Sequence, residues 1–173
     1  MRSKILFTML FAFLASTGYA QKAAKKKADK QTEAWRYEIE CSGVGTDGTY
    51  LIKVWSFSKK PAVAAEQSKK NAVHGIIFKG FVGNREKGCP TQKPLANSPN
   101  LEMEKADFFD PFFEEGGKYM KFVSLSSDGN MGSKDVIKVG KEYKVAVILS
   151  VYKDLLRKDL EDAGIIRGLT SGF

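Results

Sequence analysis

Residues 37–58, YEIECSGVGTDGTYLIKVWSFS, decide the fold. Tyr37, Ile39 and Cys41 alternate with Glu38 and Glu40. That is the period of two expected of a half-buried strand, because successive side chains leave opposite faces of a sheet. Residues 49–58 are dense in β-branched and aromatic side chains and read as a second strand. The glycine-rich residues 43–48 between them predict a turn, so the two strands pair as an antiparallel hairpin.

Beyond the hairpin, the period changes. Pro61 opens a helix, where its missing N–H costs nothing in the first turn. Ala62, Ala65, Ala72, Val73, Ile76 and Ile77 form one apolar face, with Glu66, Lys69 and Lys70 set outward, and Gly80 is the stop signal. Residues 82–97 read as a loop punctuated by Gly83, Gly88, Pro90 and Pro94, and this loop carries Cys89. Ser98-Pro99 looks like an N-cap and first-position proline for a helix through residues 101–109, with Pro111 ending or kinking it near Asp110. Residues 119–125 read as a strand and 126–133 as a loop. Residues 136–139, a Gly140-Lys141 turn and residues 143–151 read as a second hairpin. The last strand, YKVAVILSV, is apolar on both faces in places and is expected to be central. Residues 154–163 predict an amphipathic helix with Leu155, Leu156, Leu160 and Ala163 inward, and Gly164 suits a left-handed cap. The order predicts an α+β fold, a mainly antiparallel sheet with helices packed on one face, in a single domain over residues 35–173.

The N-terminus points to export. Arg2 and Lys4 precede an apolar run over residues 5–15, and Gly18 and Ala20 place small residues three and one before a cut after Ala20. Residues 1–20 thus read as a secretory signal peptide. An uncleaved anchor is the alternative, but the run is short against the roughly 20 apolar residues of a spanning helix. Export implies an oxidising compartment, in which Cys41 and Cys89 most simply form one disulfide. Two buried thiols are the other outcome, and spacing alone does not separate the two. A redox role would call for a close pair such as CxxC, which the sequence lacks.

The net charge of +8 is concentrated near the start. Arg2 and Lys4 contribute two of these charges, and residues 21–30, QKAAKKKADK, contribute four through five lysines and one aspartate. From Gln31 onward the charges are mixed and form no basic stripe, so no nucleic-acid footprint is expected. Residues 21–34 read as a basic, disordered tail, a solvated spacer by composition. Its lysines are also suited to weak contact with an anionic membrane surface or lipopolysaccharide. No span is expected after cleavage.

The candidate chemistry is sparse. Residues 43–48, GVGTDG, match the GxGxxG pattern, but dinucleotide binding needs a helix N-terminus directly after the glycines, and a strand follows here. His74, the one histidine, has no cluster of partners for zinc and no GxSxG serine to serve, so packing or a hydrogen bond accounts for it. Glu102, Glu104, Asp107, Asp110, Glu114 and Glu115 read as a solvated helix face rather than two acids opposed across a cleft. Asp128-Gly129-Asn130 with Asp135 lacks the EF-hand spacing and reads as a turn. No cofactor, metal site or catalytic residue is expected. Phe108, Phe109, Phe112 and Phe113 around Pro111 are the most unusual cluster. They present either an aromatic contact for a partner or, if the kink turns them all inward, part of the core.

Residues 54–81, VWSFSKKPAVAAEQSKKNAVHGIIFKGF, give a strand leading into an alanine-rich helix with Ala62, Gln67 and Ala72 at five-residue intervals. This layout resembles small envelope domains of Gram-negative bacteria. Among them are the N-terminal domain of flagellar assembly protein T, the outer-membrane lipoprotein activators of penicillin-binding proteins, and exported envelope proteins of gut anaerobes. The chain departs from the activators in having no lipobox cysteine, so anchoring does not carry over, and neither does any functional residue. The resemblance implies a non-enzymatic periplasmic or secreted accessory role through contact with an envelope protein. The alternatives are an envelope-polymer hydrolase and a small-ligand or lipid carrier with Trp55, Phe57 and the four phenylalanines lining a pocket.

Overall fold

A computed structural model describes residues 35–126 and 135–168. The expected signal peptide, the basic tail and the Asp128-Gly129-Asn130 turn lie outside the described residues. Among the described residues, five strands and four helices follow one another as β1 (Tyr37–Gly43), β2 (Tyr50–Ser58), α1 (Pro61–Phe78), α2 (Leu101–Glu104), α3 (Ala106–Phe113), a 3-10 turn (Lys118–Phe122), β3 (Val123–Leu125), β4 (Val136–Val139), β5 (Glu142–Val151) and α4 (Lys153–Asp162). The fold is α+β with an antiparallel sheet in the order β1-β2-β5-β3, and β4 also pairs with β5.

The hairpin forms as its alternation predicts, with Ile39 opposite Val54 and Cys41 opposite Ile52. Gly43 ends β1 and residues 44–49 fall between the strands, with β2 directly after them, so no helix follows the glycines. β5 is central. One edge pairs with the whole of β2, and the other is shared between β3 at Val151–Leu149 and β4 at Val145–Glu142. Ile52, Val54, Val145, Leu149 and Val151 are fully buried on the inner face.

Helix α1 lies against that face, and here the one-sided expectation fails. Val63 and Ala64 are buried whereas Ala62 is exposed and Ala65 half-buried, and Lys70 is buried rather than outward. Gln67, Ser68, Asn71 and His74 are buried with it. The reason is a third layer. Phe109 of α3 packs on Phe78, Phe113 reaches His74, and Lys70 Nζ sits over the Tyr119 ring at 5.8 Å, so α1 is covered on both sides. A helix enclosed between two layers needs no single apolar stripe.

That third layer corrects the expected boundaries. The helix expected through residues 101–109 breaks at Lys105 (φ −121°, ψ 36°), and Pro111 sits inside α3 instead of ending it. Asn100, not Ser98, is the N-cap of α2, and the Ser98 hydroxyl accepts from the Asn100 N–H at 3.2 Å just ahead of the helix. Residues 118–122 form a 3-10 turn, leaving only Val123–Leu125 as strand. Tyr119 and Phe122, three residues apart, both reach the core because residues at that spacing share a face of a 3-10 turn. In α4, Leu156 and Leu160 are buried, while Leu155 and Ala163 are exposed. Gly164 has φ +65° and donates to Glu161 as Ile165 donates to Leu160, the paired bonds of a Schellman cap.

Candidate functional site

Two places gather chemistry. The first is built on α1. Gly75 lets the helix approach β1 closely, since a Cβ there would run into Ile39 Cδ1 and come within 3.2 Å of Tyr37 Cε2. The preceding residue, His74, therefore meets β1 directly. Its Nδ1 lies 2.6 Å from the Tyr37 hydroxyl, and its Nε2 lies 3.1 Å from Glu102 Oε2. A carboxylate only accepts, so the neutral ring carries its proton on Nε2 and accepts from Tyr37 at Nδ1. Trp35 covers the ring, stacked at 3.4 Å between centroids and 19° between planes. Phe113 meets the same indole edge-on at 5.3 Å. Lys79 Nζ donates to the Trp35 carbonyl at 3.2 Å and stands 3.9 Å over the Tyr37 ring.

Burial dominates the electrostatics. It pushes the Tyr37 phenol up, with Glu102 adding to the rise, so the phenol stays protonated. Burial also lowers His74; the Glu102 carboxylate opposes the fall and the Lys79 charge adds to it. Lys79 itself is lowered by burial. With both ring nitrogens engaged and Trp35 on its face, His74 ties β1, α1 and α2 together.

The second place lies at the disulfide end. Cys41 of β1 and Cys89 of the following loop are bridged, with 6.3 Å between Cα atoms. The bridge closes 48 residues, which corresponds to about 4 kcal/mol in the chain-entropy model. It holds the hairpin loop against residues 81–92, where Phe81 pairs with Gln92 and Asn84 with Cys89. Between the loops runs a groove of about 210 Å³, lined among others by Val44, Tyr50, Phe81, Pro90, Gln92 and Lys153. Tyr50 donates to Gln92 Oε1 at 2.6 Å, and Lys153 Nζ stands 5.0 Å over the Tyr50 ring. The Tyr50 phenol is raised by burial. Val44 and Val82, both on these loops, are 72% and 79% exposed.

The other expected residues fall elsewhere. Phe109, Phe112 and Phe113 are buried and Phe108 is half-buried, so the four do not form an exposed aromatic patch. Three of them occupy positions i, i+3 and i+4 of α3, which is one helical face, and this is why a regular helix can bury them together. Phe108 packs edge-on against Phe109 and stacks on Phe112. Of the acids, Glu102 turns in to His74, while Glu104, Asp107, Asp110, Glu114 and Glu115 are exposed. Asp135 pairs with Lys53 at 2.8 Å. Trp55 and Phe57 line no groove with the phenylalanines; they sit on the outer sheet face under Lys53, Lys144 and Arg36. Among the described residues, no three His, Cys, Asp or Glu side chains are placed to hold a metal ion, and no helix is long and apolar enough to cross a membrane. Comparison with family models, curated proteins and solved structures finds no match to this chain.

Proposed function

We propose that this chain is a non-enzymatic protein-binding module of the cell envelope, and that it meets its partner at the disulfide-walled groove rather than through its phenylalanines. The groove carries this reading. At about 210 Å³ it is smaller than the roughly 300–1,000 Å³ of sites that enclose a small ligand, yet it suits one or two side chains of a partner. Val44 lines the groove and is exposed, and Val82, next in sequence to the lining residue Phe81, is an exposed apolar side chain on the second, disulfide-held loop. The disulfide is also what an oxidising, extracytoplasmic setting favours. Against hydrolysis stands His74, whose two ring nitrogens are taken and whose face is covered by Trp35.

Photo-crosslinking in intact cells tests this. A crosslinking residue at position 44 is expected to capture a defined partner, and Val82→Asp is expected to reduce that capture several-fold. The same probe at Ile137, on the β4 hairpin, is expected to give only background. Equal capture from both positions, or capture at position 44 indifferent to Val82→Asp, overturns the reading.

A further inference from the structure

The chain has one histidine, and the fold places it where a single proton reverses the hydrogen bond that joins β1 to α1. In the neutral ring Nδ1 accepts from Tyr37. Adding a proton turns Nδ1 into a donor, so the Tyr37 oxygen can only accept from it and the phenolic hydrogen loses its acceptor. Tyr37 is 8% exposed, and its hydroxyl makes no other hydrogen bond among the described residues. A buried donor left without a partner costs more than the original bond was worth. The Nε2–Glu102 bond keeps its direction and gains charge, so α2 stays attached.

We propose that the seam between β1 and α1 is an acid-labile joint with His74 as its proton sensor, opening at the Trp35–Ile39 end while Cys41 holds the other. Three observations meet there. β1 is an edge strand, paired only with β2 among the described residues, so fewer backbone bonds hold it than hold the central strands β2 and β5. Trp35, at its start, has φ +43°, the one left-handed non-glycine backbone among the described residues, so release relieves a strained conformation. The disulfide at Cys41 confines the opening to the first half of the strand.

The charged and titratable groups around the ring are Tyr37 from β1, Glu102 from α2 and Lys79 at the end of α1, with Lys70 one turn back on α1. Glu102 favours the imidazolium; burial and Lys79 oppose it, and burial is the largest effect. The folded state thus takes up this proton less readily than the unfolded chain. The stabilisation is complete above the ordinary histidine value of about 6.5 and is lost as pH falls through the lowered value.

The experiment follows the single imidazole resonance and amide exchange in the full chain between pH 8 and pH 4.5, with exchange corrected for its intrinsic pH dependence. His74 is expected to titrate below pH 6.5. Amides of residues 37–39 are expected to exchange at least tenfold faster below that midpoint, while those of residues 145–149 hold their protection. In His74→Asn, which takes up no proton in this range, the acceleration is expected to disappear. A histidine that titrates with exchange at residues 37–39 unchanged overturns the proposal in the wild-type chain alone. So does one that never titrates in this range, or acceleration that persists in His74→Asn.

Discussion

The two faces of the sheet alternate residue by residue along β2 and β5, and different forces hold them. On the inner face Ile52, Val54, Val145, Leu149 and Val151 are sealed under α1. On the outer face Trp55 and Phe57 lie among charges. Lys144 Nζ is 4.9 Å from the Trp55 ring and pairs with Glu38 at 2.6 Å, Arg36 pairs with Glu142 at 2.9 Å, and the Trp55 indole donates to Glu40 at 3.0 Å. Burial acts without direction and needs only volume. The outer contacts act through geometry in water, where salt weakens them. The difference teaches where mutation should hurt: a one-residue step along a strand changes the mechanism, and with it the magnitude.

The sharpest contrast uses neighbours on β5. Leu149→Ala, on the inner face, is expected to cost about 3 kcal/mol, within the range for a buried leucine. Ile148→Ala, half-buried on the outer face, is expected to cost about 1 kcal/mol. Denaturant unfolding of the pair checks this, and equal losses would mean that something covers the outer face in solution.

An intermediate effect comes from the polar part of the inner face. Ser56 is fully buried, accepts from Asn71 Nδ2 at 2.8 Å and lies 3.0 Å from the Ser68 hydroxyl. Ser56→Ala is expected to cost about 1–2 kcal/mol, because it leaves the Asn71 amide without its acceptor. A midpoint within error of the wild type would show that Asn71 finds another partner.

The smallest effect is expected from Lys144→Ala. It removes one ion pair and the cation over Trp55, for a loss of about 0.5 kcal/mol that shrinks in molar salt. A larger, salt-independent loss would show that the lysine stem, rather than its charge, is what protects Trp55.

Much of the fold was legible because its signals are local. The period of two in residues 37–41 and 49–58, Pro61 at a helix start, Gly164 at a helix end and the doubly apolar β5 each state their conformation within a few residues. The third layer was not legible, because α1 carries no mark that a second surface would cover it. For the same reason Lys70 reads as outward and the phenylalanines as open to a partner. Of the candidate site, only His74 and the cysteines stand out as residue types. Glu102 reads as part of a solvated helix face, Trp35 as the start of the domain and Tyr37 as the start of a strand.

By itself the sequence determined the α+β class, the hairpin and the alternation of its first strand, the central place of β5, and the two cysteines available for a bridge. These follow from periodicity and backbone preference, which act over one or two turns of chain. Only the tertiary structure decided that α1 is enclosed on both sides, that the aromatic cluster belongs to the core, and that Tyr37, His74 and Glu102 meet beneath Trp35. Those outcomes depend on packing between segments tens of residues apart. No local propensity encodes such packing; the volumes and hydrogen bonds of the closed fold select it.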